Sequence, residues 1–119
     1  MNGQNQNIKE IIISDLQKKG NELLVKHLDG RNYNESKVEM WIEAVLRDFE
    51  NYFKEKYPNY YLFLFCTICS NNTSFYNNSF NIYKVLTEGG SFSVFRINNI
   101  YSCLFFFFFQ NSIQINIFH

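Results

Sequence analysis

Charge of one sign is the first thing this chain lacks. Eleven Lys and Arg balance eleven Asp and Glu, and nowhere do five or six like charges gather. The sequence therefore gives no electrostatic reason to expect nucleic acid or an anionic membrane as partner. Long apolar runs are missing as well. The longest, residues 60–68 and 103–109, fall far short of the ~20 residues a spanning helix needs. Residues 1–7 are polar and rich in Asn and Gln, without the basic and apolar regions of a signal peptide. The chain thus reads as intracellular, and the Asn-x-Ser/Thr triplets at Asn34, Asn71, Asn72 and Asn77 are expected to stay unglycosylated.

Cysteine is scarce too: three residues fit a reducing compartment and no disulfide framework. Cys66 and Cys69 form a C-x-x-C, but they fall in a run with strand character, where positions three apart face opposite sides of the sheet. One zinc ion or one bridge would break that strand, and a structural zinc site wants four ligands at short spacing. The cysteines are better read as small core residues. Local motifs for a Ser/His/Asp or Cys/His arrangement, for paired carboxylates or for a phosphate-binding Gly-rich loop are not found. Glu35, Glu39 and Glu43 recur every fourth residue, which is the pattern of a solvated helix face. His27 lies near the end of a helical segment, where a cation favours the dipole; His119 is terminal.

What the chain does have is aromatic residues, 19% of the total, and one clear amphipathic pattern. Val38, Trp41, Ile42, Val45, Leu46, Phe49 and Phe53 follow the spacing that a period of about 3.6 residues brings onto one face. Asn34 and Ser36 precede the stripe as capping residues, and Pro58 ends the helix, giving a span of about 34–56. Upstream, Ile12, Leu16, Leu23, Leu24 and Leu28 predict another helix over 8–28. A capping box at Ser14 and Gln17 favours a regular start there, and Asp29-Gly30 ends it. Residues 1–7 are expected to be a disordered tail.

Beyond Pro58 the period changes. Residues 60–70, 75–85, 91–97 and 101–109 read as strands separated by turns at 71–74, 88–90 and the pair Asn98-Asn99. The expected fold is α+β: two N-terminal helices packed on a four-stranded, meandering antiparallel sheet. A single domain over 8–109, with a tail at 110–119, suits a chain of this length. Segment 75–85 carries Asn77, Asn78, Ser79, Asn81 and Lys84 among its apolar residues, too polar for a central strand. It is expected at an edge, where unpaired backbone groups invite self-association or capture of an extended peptide.

Tyr33-Asn-Glu-Ser-Lys-Val-Glu-Met-Trp41 resembles the Tyr-x-x-Ser-Lys-Val-x-x-Trp start of the second helix in the Tctex-type dynein light chains. The similarity continues through Cys66, Ile82-Tyr83, Glu88-Gly89-Gly90-Ser91 and Cys103, and covers roughly residues 16–109. It departs at Glu35, where family members commonly have His, in the turn after the first strand, at the run Phe105 to Phe109, and in the tail 110–119. The resemblance implies a non-catalytic homodimer in which each subunit lends its second strand to the partner's sheet. It further implies binding of an extended segment of the dynein intermediate chain, with some members also contacting cargo proteins. By position the exchanged strand comprises Phe75, Tyr76, Asn77, Asn78, Ser79, Phe80, Asn81, Ile82 and Tyr83, and its sheet neighbour is 91–97, with Phe92 and Val94 at the interface. Location with a cytoplasmic or axonemal dynein on the cytoskeleton would follow, and no cofactor is implied. A small enzyme using Cys66 or Cys69 as a thiol nucleophile is the alternative of a different class; it requires a depressed thiol pKa and access.

Overall fold

The computed structural model describes residues 2–70, 91–97 and 99–110. Two helices precede an antiparallel sheet: α1 (Asn2–Leu28), α2 (Glu35–Lys56), β1 (Tyr60–Ser70), β2 (Ser91–Ile97) and β3 (Ile100–Gln110). The α+β class expected from the change of period is what the chain adopts.

Helix α2 forms where the stripe predicts it. Asn34, in extended conformation, caps it, and its side-chain oxygen accepts from the Ser36 backbone N–H at 3.0 Å. Trp41, Val45, Phe49 and Phe53 are buried, while Val38, Ile42 and Leu46 flank them half-buried. At the other end the Tyr57 N–H bonds to Phe53 C=O at 2.7 Å, and Tyr60 N–H closes a turn around Pro58 onto Tyr57 C=O at 3.2 Å. Proline in the second position of such a turn needs no donor and has its φ preset.

Helix α1 starts earlier than its sequence suggests. It runs unbroken from Asn2, so neither Ile8 nor the Ser14–Gln17 pair is its beginning, and most of the expected tail is helical. Once the turns around Ile12 and Leu16 are anchored, each added residue gains a backbone bond without paying for nucleation again. Gly20 does not interrupt it. The expected inner face is as predicted: Ile12, Leu16, Leu23, Leu24 and Leu28 are all buried. Gly30 follows the helix at φ +76°, and an added Cβ there would meet nothing within 4 Å. Gly30→Ala should therefore lose only the backbone term of the left-handed region, about 1 kcal/mol, and Gly30→Asn less. Urea denaturation of the two variants would measure the difference.

The sheet departs from the expected meander. Its order is β1-β3-β2: β1 pairs with β3 from Tyr60 opposite Gln110 to Ser70 opposite Ile100. On the other side β2 pairs with β3 from Ser91 opposite Phe106 to Ile97 opposite Ile100. The two-residue connection expected at 98–99 agrees with this last pairing. The Phe-rich β3 takes the central place, hydrogen-bonded along both of its edges, which leaves it no unpaired backbone edge from Ile100 to Phe106. The fourth strand, expected at 75–85, lies outside the described residues.

Both helices cover one face of the sheet, α1 lying over β2 and α2 over β1. Ile100, Leu104, Phe106 and Phe108 of β3 join Cys66 and Ile68 of β1 and the helix residues in one core. The rings of Phe49 and Phe106 meet at 5.7 Å, and Phe108 lies 6.3 Å from Phe53 and 5.7 Å from Tyr60.

Candidate functional site

Because directly opposed residues of an antiparallel pair share a face, the sheet register sorts the aromatics of β1 and β3. Leu62, Leu64, Phe106 and Phe108 turn to the helices. The alternate positions form a second face that neither α1 nor α2 covers. Tyr61 stands opposite Phe109, Phe63 opposite Phe107, and Phe65 opposite Phe105. Of these, Phe63 is 61% exposed and Phe65 51%. Tyr61 and Phe109 are also exposed, their rings 5.5 Å apart, and Phe107 sits 6.0 Å from Phe109. Farther along, Phe105 and Cys103 on this face are buried.

The exposed part of this face is large. With about 150–250 Å² per aromatic side chain, the four exposed rings leave roughly 300–450 Å² of apolar surface in water. That is the size of the largest patch on an ordinary monomer, and such patches are frequently binding surfaces. Covering it would contribute on the order of 10 kcal/mol per copy at ~25 cal/mol/Å², before the cost of association. The alternation of Phe63 and Phe65 with Leu62 and Leu64 was the sequence signal for this face.

Of the interface residues implied by resemblance, Phe75, Tyr76, Asn77, Asn78, Ser79, Phe80, Asn81, Ile82 and Tyr83 lie outside the described residues. Phe92 and Val94 are on β2, where the backbone register places them opposite Phe105 and Cys103. β2 is an outer strand of the described sheet.

The thiols sit as the strand period requires. Cys66 belongs to the helix-side core; Cys69, three residues on, is half-buried rather than in the core, opposite Tyr101. Burial pushes the Cys66 and Cys103 thiols up to about 12, so neither holds an appreciable thiolate at neutral pH. Native protein should react with a neutral-pH thiol reagent at Cys66 and Cys103 far more slowly than denatured protein, by at least about tenfold given the burial. Mass spectrometry of the labelled peptides would read this directly. Among the described residues no group of three or more His, Cys, Asp or Glu is arranged to hold a metal ion, and no helix is long and apolar enough to cross a membrane.

Two polar clusters join the helices, and no local spacing in the chain points to either. Asp15 on α1 accepts from Tyr52 at 2.8 Å and from Tyr57 at 2.5 Å, and Lys56 lies 3.1 Å away. Partial burial works to raise the Asp15 carboxyl, but the bonds from Tyr57, Tyr52 and Lys56 outweigh it and hold the group below its ordinary value. Burial, reinforced by that carboxylate, pushes the Tyr57 phenol up to about 12. With both oxygens engaged, this carboxylate serves packing rather than proton transfer.

In the second cluster His27 Nε2 lies 2.8 Å from Asp48 Oδ2, with Lys26 at 3.5 Å from the same oxygen. The hydrogen bond with His27 is the main influence lowering the Asp48 carboxyl. The helix-end position of His27 holds, since Lys26 and His27 form the basic last turn of α1. Its partner across the helix pair was not legible locally.

No protein-family model matches this chain, and no curated protein matches it.

Proposed function

We propose that this chain is a non-catalytic binding module of the Tctex dynein light-chain type. It acts as a strand-exchanged homodimer that holds an extended segment of the dynein intermediate chain, and it can carry cargo proteins. Its place is then with a dynein complex on the cytoskeleton, in the cytoplasm or the axoneme. The observation that carries this reading is the strand order.

In a meander, a strand from 75–85 would sit between β1 and β2. That place is occupied by β3, which pairs with both. A strand drawn from this segment must add at an outer edge, and the edge of β2 in a partner subunit is the one the resemblance implies. Main-chain bonds along such an edge supply affinity, and pockets for alternate side chains supply register. The exposed face of Tyr61, Phe63, Phe65 and Phe109, which neither α1 nor α2 covers, adds support, being apolar surface that a second subunit would remove from water. Two parallel sites on one dimer hold two intermediate chains side by side, which raises their effective concentration for each other.

Prolines at Ser79 and Asn81 remove two backbone donors from the exchanged strand. The double variant is expected to be monomeric by light scattering; a variant that remained dimeric would overturn strand exchange. The decisive measurement is the native mass of the protein alone and with an N-terminal segment of an intermediate chain. A dimer that takes up two peptides is the expected result. A monomer indifferent to the peptide would remove the proposal.

A further inference from the structure

We draw no further inference here: the strongest candidate, the groove between α2 and the outer edge of β1 lined by Leu46, Phe53, Leu62 and Leu64, is an unpartnered apolar surface, and nothing in the structure shows what covers it.

Discussion

Phe49→Ala is expected to remove about 3–5 kcal/mol of folding stability, a large share of the roughly 5–15 kcal/mol that holds a domain of this kind. Phe49 is fully buried in the middle of the α2 stripe, and its ring meets Phe106 on the central strand at 5.7 Å. Truncation loses the transfer energy of the ring and leaves a cavity between a helix and a sheet. Both are stiff elements, so the walls collapse poorly and the cavity term stays large. Met40→Ala, on the same helix but 57% exposed, should change stability by less than about 0.5 kcal/mol. Urea unfolding followed by far-UV circular dichroism would compare the pair. Equal losses at both positions would mean that the buried stripe does not face the sheet.

Asp15→Ala should cost about 2–3 kcal/mol, since it strips two phenol hydroxyls and an ammonium of their shared acceptor. Tyr52 and Tyr57 lie 37 and 42 residues from Asp15 in sequence, so this one carboxylate ties the first helix to the end of the second. The same site makes stability depend on pH. The Asp15 and Asp48 carboxyls are both held below the ordinary value of 3.8, which means the folded state binds their protons less readily than the unfolded chain. Their contribution is complete above the unfolded value and is lost as pH falls through the lower, folded value. The wild-type denaturation midpoint should therefore decline below about pH 4, and the decline should be shallower in Asp15→Asn, which lacks one of the two titrating groups. A profile of the same slope in both proteins would show that Asp15 does not couple folding to protons.

How much of this was readable in advance divides along sequence distance. The α2 stripe, the Asn34 cap, the stop at Pro58 and the bounds of β1 all depend on residues within a few positions of one another, and the sequence displays them directly. The beginning of α1 was hidden because Asn and Gln carry no periodic apolar signal, while helix propagation from an anchored turn does not need one.

Strand order was hidden for a different reason. Pairing Tyr60 with Gln110 joins strands far apart in sequence, whereas short loops between neighbours argue for a meander. The Phe run was the available clue, since successive rings suit a central strand better than an edge. The Asp15 and Asp48 clusters bring together groups on different helices, and no local spacing announces them. Cys69 was assigned to the core with Cys66, although the two-residue period of a strand that separates them also turns one of them away from it.

A sheet whose centre is supplied by β3 has an assembly schedule built into it. During synthesis the helical pair emerges first and has all its own contacts, including the Asp15 and Asp48 ties, before any strand pairing exists. β1 follows, but β3, the described strand it pairs with, lies on the far side of residue 99. At about 5–20 residues per second the stretch from Ser70 to Gln110 takes several seconds to appear. Through that interval β1, with no charge and no proline between Tyr60 and Ser70, packs on α2 but still lacks β3. Nascent chains on neighbouring ribosomes then compete with β3 for the same strand, so the yield of folded protein will depend on the rate and crowding of translation as well as on the stability of the finished domain.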